Sequence, residues 1–181
     1  MHYAKDIVLS DGKKCRIRNA VGEDAREVLD VFLLTREQTD FLSSYRDEVT
    51  FDVESEREFL SGIACAEKEV LLCAVMDGHI VGTASVLPMG ASKVAHRASF
   101  GIAIDKACWG MGIGRALTQC CIEWAKRAGY AQLELEVVGD NAGAIALYKK
   151  MGFSEFGRNP RGFRSRFQGW QELVSMRLEL T

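Results

Sequence analysis

Proline is nearly missing from this chain, with Pro88 and Pro160 the only two in 181 residues. No Pro-rich or low-complexity linker and no internal repeat divides the sequence, and 48% hydrophobic content at this length fits one compact domain over residues 1–181. Charge of one sign is also lacking. A net charge of −2 and a pI near 6.0 give no field for a polyanion, so nucleic acid is not an expected partner. No apolar run approaches the length needed to cross a bilayer, and Met1-His2-Tyr3-Ala4-Lys5-Asp6 has no apolar signal core. No membrane association is expected, and the location is read as cytoplasmic. The six cysteines contain no Cys-x-x-Cys pair and His2, His79 and His96 are scattered, which excludes a zinc motif and a disulfide framework. No metal is expected, and Cys15, Cys65, Cys73, Cys108, Cys120 and Cys121 read as core thiols of a reducing compartment.

What is present is alternation and helical spacing in turn. Lys14 to Arg18 alternates like a first strand, and Ala25, Val28, Leu29 and Phe32 then recur at helical spacing. A second helix is predicted from Val53, capped by Asp52, with Phe59, Leu60, Ile63 and Ala64 as its buried stripe. Val70–Met76 and Ile80–Leu87 read as strands joined by the hairpin pair Asp77-Gly78, and Ala98–Ile104 as a third. A helix follows with Ile113, Leu117, Cys120, Cys121, Trp124 and Ala128 on one face, closed by Gly129. The strand containing Leu133, Leu135 and Val137 must run parallel to its predecessor, because a helical crossover joins them. A short helix from Ala142 to Met151 and two strands near Phe153–Gly157 and Leu173–Leu180 complete a mixed sheet in a three-layer α/β arrangement.

Between the strand ending at Ile104 and its helix lies Cys108-Trp109-Gly110-Met111-Gly112-Ile113-Gly114-Arg115-Ala116-Leu117. Glycines let the backbone turn through positive φ and approach a ligand closely, and a helix start leaves unpaired N–H donors, so an anion such as phosphate suits the turn. Glu134 and Glu136, about 20 residues beyond the turn, would suit the ribose acid of a dinucleotide fold. That fingerprint, however, needs a further glycine three positions after the second, where this chain has Arg115 or Leu117. A P-loop fails for want of Gly-Lys-Ser/Thr. One strand further on, Asn141 and Tyr148 stand seven residues apart, two helical turns, so both face one groove, and Gly152-Phe153 ends that helix.

These two stretches resemble the GNAT superfamily of acetyl-CoA-dependent N-acetyltransferases. Gly112-Ile113-Gly114-Arg115-Ala116-Leu117 is similar to the family's pyrophosphate loop, and Asn141 through Phe153 to its Asn-x-x-Ala-x-x-Leu-Tyr-x-x-x-Gly-Phe helix. Trp109 departs from the Arg or Gln usual there. The resemblance implies a mixed, mostly antiparallel sheet with a splayed parallel strand pair that takes the pantetheine arm of acetyl-CoA, paired to backbone groups of Ile102 and Ile104. It places the pyrophosphate on N–H groups of Trp109, Gly110, Met111, Gly112, Ile113, Gly114 and Arg115, with Asn141 and Tyr148 beside the cofactor. Tyr148 then protonates the departing thiolate and Glu136 acts as base, the same Glu-to-Tyr spacing as in GNAT enzymes that acetylate the N-terminal alanine of a ribosomal protein. Glu134 shares the strand face and stays an alternative base, as does a water chain. Ser99 stands where many relatives carry a further Glu.

The expected reaction is direct acetyl transfer in a ternary complex to a primary amine: a small molecule, an amino acid or a protein N-terminus. A non-catalytic acyl-CoA sensor and a nicotinamide-dependent oxidoreductase are the competing readings, and a homodimer is a family habit. Residues 40–58 carry a local charge of −5 that suits a cationic acceptor, while Arg158, Arg161, Arg164 and Arg166 form an acid-free basic stretch, read as a solvated hairpin loop.

Overall fold

A computed structural model describes residues 3–180; what was read from Met1 and His2 lies outside them, as does Thr181. Eight strands form one sheet: β1 (Ala4–Val8), β2 (Lys14–Asn19), β3 (Val70–Met76), β4 (His79–Pro88), β5 (Arg97–Ile104), β6 (Gln132–Val138), β7 (Ser154–Ser165) and β8 (Gly169–Glu179). Their order is β1-β2-β3-β4-β5-β6-β8-β7, and every neighbouring pair is antiparallel except β5 with β6. The long helices are α1 (Ala25–Gln38), α2 (Val53–Cys65), α3 (Ile113–Arg127) and α4 (Ala142–Lys150).

The layers follow from alternation along β3. Val70, Leu72 and Ala74 join the core built on Leu117, Cys121 and Trp124 of α3, whereas Leu71, Cys73 and Val75 meet Ala25, Val28 and Val31 of α1 and Leu60 of α2. Successive strand side chains point to opposite faces, so α3 covers one face and α1 with α2 the other. A strand buried on both sides has no polar face, and β3 has none. Asp77 takes φ 52° and Gly78 φ 85°, the left-handed pair that a two-residue hairpin needs.

Several boundaries differ from the sequence reading. β1 precedes the strand expected to be first; it lies at the sheet edge, mostly exposed, so backbone pairing rather than an apolar face defines it. On α2, Leu60 and Ile63 are buried but Phe59 and Ala64 are exposed, and Glu56 is buried in their place. Cys65 is exposed, unlike the other five cysteines. The supposed loop from Arg158 to Trp170 is mostly strand, with only residues 166–168 forming the turn between β7 and β8. Two register shifts disguise β7, between Glu155 and Gly157 and between Asn159 and Phe163. The second holds Pro160, which lacks a donor, and Gly162, where a Cβ would clash with the Leu173 side chain.

The parallel pair is short. β5 and β6 are in register only over Arg97–Ser99 and Gln132–Glu134, and the two strands then run on to Ile104 and Val138 without pairing. At the base of this split, Arg97 Nε and Nη2 each donate to a carboxylate oxygen of Glu134 at 2.7 Å. The other edge of β5 belongs to β4. Asp105 N–H donates to the Val81 carbonyl, so by alternation the peptide groups of Ile102 and Ile104 turn away from β4 toward the split.

Candidate active site

The glycine turn sits at the open end of the split. Gly110 (φ 78°) and Gly112 (φ 95°) occupy left-handed backbone that side-chain-bearing residues avoid, and a Cβ at either would meet nothing within 4 Å. Their requirement is therefore conformational, and the space above them is free. Gly114 serves otherwise: it is helical, and a Cβ there would touch Leu147 Cδ2 at 3.4 Å and Ile104 Cδ1 at 3.5 Å, so its smallness lets α3 approach α4 and β5. Trp109 N–H is already bonded to the Lys106 carbonyl, which removes it from the expected donor set. The amides of Gly110, Met111, Gly112, Ile113, Gly114 and Arg115 have no acceptor among the described residues. The first helical bond runs from Ala116 N–H to the Gly112 carbonyl. Ile113 buries its side chain, and the Met111 carbonyl accepts from Ser10 N–H, so these two residues offer only their amides. Arg115 is exposed beside them without an acidic partner among the described residues.

Trp109 also closes part of the strand edge. Its indole Nε1 donates to the Ile104 carbonyl at 2.8 Å, occupying a strand group expected to pair with pantetheine. The Ile104 amide and both peptide groups of Ile102 stay turned to the split.

From this end a cleft of about 1530 Å³ runs between the diverging strands to the face covered by α1 and α2. Tyr148 lies in its wall, 6% exposed, with Phe100 edge-on at 6.1 Å and Phe153 at 5.8 Å between ring centroids. Its hydroxyl has no partner among the described residues, and burial pushes its pKa up to about 12. Asn141 lines the same cleft and also caps α4, its Oδ1 accepting from Ala144 N–H at 3.2 Å. Glu136 is exposed on the cleft, with Ser175 Oγ 3.5 Å from its carboxylate. Glu134, the alternative base, is buried and held by Arg97; it serves the foot of the split, not the cleft. Burial raises the Cys108, Cys120 and Cys121 thiols, so none is a ready nucleophile.

The α1 to α2 connection forms the far wall, and the hairpin of β7 and β8 holds it. Ser165 Oγ donates to Asp40 at 2.5 Å, Tyr45 accepts from Arg166 N–H at 2.8 Å, and Arg166 Nη1 reaches Asp47 at 2.7 Å. Of the acidic stretch expected to suit a cationic acceptor, Asp47 and Glu48 are thus spent on Arg166. Arg158 pairs with Glu155 and Glu172, and Arg161 and Arg164 lie over Trp170. Of the residues that do line this wall, Phe32 was read only as part of a helical stripe, and Arg36, Phe41, Phe51 and Glu56 were not singled out in sequence. The helical spacing of Phe32 and Arg36 was the available signal.

Comparison with known proteins gives consistent results. The family model described as Acetyltransferase (GNAT) family matches residues 32–153. The chain is 46% identical over 56 residues to a [Ribosomal protein bS18]-alanine N-acetyltransferase of Escherichia coli (strain K12), 31% of this chain and 38% of that protein. It is 35% identical over 86 residues to an L-amino acid N-acetyltransferase of the same strain, 45% of this chain and 51% of that protein. The matches thus span about half or less of these curated relatives. A crystal structure of a GNAT-family acetyltransferase from Streptococcus pneumoniae superposes with TM-score 0.87 at 29% identity, covering 91% of this chain and 99% of that one. With a split parallel pair, a free amide cradle at a helix start and a family match over most of its length, this chain belongs to the GNAT family of acetyltransferases, whose co-substrate is acetyl-CoA.

Proposed function

We propose that this protein transfers the acetyl group of acetyl-CoA directly to a primary amine. The observation that carries the reading is the run of unbonded amides from Gly110 to Arg115 opening onto the same cleft as the unpartnered Tyr148 hydroxyl. A pyrophosphate suits this cradle because six successive amides without a backbone acceptor lie at a helix start, with open space beside Gly110 and Gly112. The split gives the pantetheine arm a strand edge at Ile102 and at the Ile104 amide.

Acetyl-CoA supplies the acyl group as an activated thioester. An alkylamine of pKa about 10 is almost wholly protonated at neutral pH and needs to lose a proton before it can attack. Glu136 takes that proton, directly or through water, from its exposed place on the cleft. As the C–N bond forms and the C–S bond breaks, Tyr148 donates its phenolic proton to sulfur, and the second proton leaving the new amide nitrogen restores the phenol through water. A pKa held near 12 keeps the phenol neutral and loaded at working pH.

The test is thiol release from acetyl-CoA across a panel of amines, amino acids and short peptides, with mass detection of product. Amine-dependent release is expected. Tyr148→Phe should lower kcat by about 10²-fold while acetyl-CoA affinity changes less than about twofold. Tight acetyl-CoA binding with no release on any amine would identify a sensor and overturn the proposal.

A further inference from the structure

Two charged side chains on the acceptor wall have no partner of opposite sign among the described residues. Glu56, in the first turn of α2, is 8% exposed, faces the cleft, and its carboxylate accepts no hydrogen bond among the described residues. Arg36, near the end of α1, faces the cleft across the Phe32 ring, with Cζ 3.1 Å from the ring centroid. Its Nε donates to Ser44 Oγ at 2.8 Å and Nη1 to the Phe32 carbonyl at 3.0 Å, but no carboxylate pairs with it. The acids that share the adjoining recess with Arg36 are engaged elsewhere: Glu37 by Arg46, Asp40 by Ser165, and Asp47 by Arg166.

Of the cleft residues supplied by α1, α2 and their connection, Arg36 and Glu56 are the only charged ones. The rest of that wall is largely apolar, with Phe32 and Phe51 edge to face at 5.4 Å and Phe41 and Phe59 beside them. A charge withdrawn from water is costly unless a ligand completes it, and here a buried Glu56 and a half-buried Arg36 sit in an aromatic surround. Burial raises the Glu56 carboxyl and lowers the Arg36 guanidinium to about 10, the directions expected of groups awaiting counter-charges.

We infer that Arg36 and Glu56 form the acceptor subsite, with Arg36 holding a carboxylate and Glu56 an ammonium, so that the acceptor is a zwitterion with an apolar or aromatic body, of the free α-amino acid class. This rests on the cleft being an acetyl-transfer site as proposed above. A peptide N-terminus presents the ammonium without a neighbouring carboxylate and leaves Arg36 unmatched.

Binding of L-phenylalanine, L-phenylalanine amide, phenethylamine, 3-phenylpropionate and an alanine-initiated tetrapeptide is measured by calorimetry on the full chain with coenzyme A present and absent. L-phenylalanine should bind, and removal of either charge from the ligand should weaken binding at least about tenfold. Glu56→Gln should weaken phenylalanine and phenethylamine alike. Arg36→Met should remove the preference for phenylalanine over its amide. In turnover, both variants should raise the acceptor KM and leave that of acetyl-CoA unchanged.

Equal binding of phenylalanine and phenethylamine, preference for the tetrapeptide, or no binding of any zwitterion overturns the subsite. The ligand series on the unmodified protein decides this even if Arg36→Met does not fold. Acetyl-CoA binding and thiol release, followed separately, report on the transferase reading, so either conclusion can fail alone.

Discussion

Burial sets what each proton-handling side chain can do. Tyr148, unpartnered and pushed from 10.0 to about 12, stays neutral in the folded protein to higher pH than in the unfolded chain. It should give kcat no descending limb until pH nears 12. The same shift contributes stability that is complete below pH 10 and is lost as pH rises through the folded value, by at most about 3 kcal/mol. Urea titrations between pH 9 and 12 should show a drop in stability that is smaller in Tyr148→Phe. Glu134 and Glu136 separate in the same way. Glu136→Gln should lower kcat/KM with little change in Tm, whereas Glu134→Gln should lower Tm with little change in kcat/KM. Alternation alone puts both carboxylates on one face, and so the sequence could not divide their roles. Arg97, 37 residues away, divides them. Tyr148 and Asn141 were legible because both sit in one local helical pattern. Glu56 was not, because an acid in a first helical turn ordinarily complements the helix dipole in solvent.

At the scale of elements, the strand, glycine turn and helix from β5 through α3 act together. Gly112 has φ 95° and open space around it, so Gly112→Ala should add only backbone strain, roughly 1–2 kcal/mol, visible as a lower Tm. It should also raise the acetyl-CoA KM, since any relaxation tilts the amides that follow. Elements carrying a strong period, β4, α3 and β6, and the unbroken apolar run of β3 beside its Asp77-Gly78 turn were placed by sequence to within a residue or two. The start of β7 was read near Phe153–Gly157, but its continuation to Ser165 was missed because its two register shifts break the alternation and its exposed edge carries arginines where an apolar face would have marked it. β1 was missed for a related reason: a strand held by ladder bonds at an edge needs no hydrophobic signature.

For the whole molecule, the acceptor wall depends on contacts between segments more than a hundred residues apart. Asp40 joins α1 to the hairpin through Ser165, Tyr45 and Gln171, and no local pattern could announce such a tie. Asp40→Ala should raise the acceptor KM several-fold, leave the acetyl-CoA KM unchanged, and speed proteolytic cleavage within residues 39–52, read by mass spectrometry of a timed digest. The cofactor end should not respond, because its cradle and split belong to β5, β6 and α3.

The split between β5 and β6 has a consequence for solubility. Beyond Ser99 it leaves two strand borders facing one another inside a sheet, each with peptide groups that lack a ladder partner. Such borders are where protein chains zip onto one another. The Trp109 indole blunts one of them at Ile104, a small plug in an otherwise open seam. A ligand lying in the seam would close it as an extra strand does. The ligand-free protein should therefore self-associate faster on warming, and light scattering should show Trp109→Phe hastening that onset while acetyl-CoA delays it.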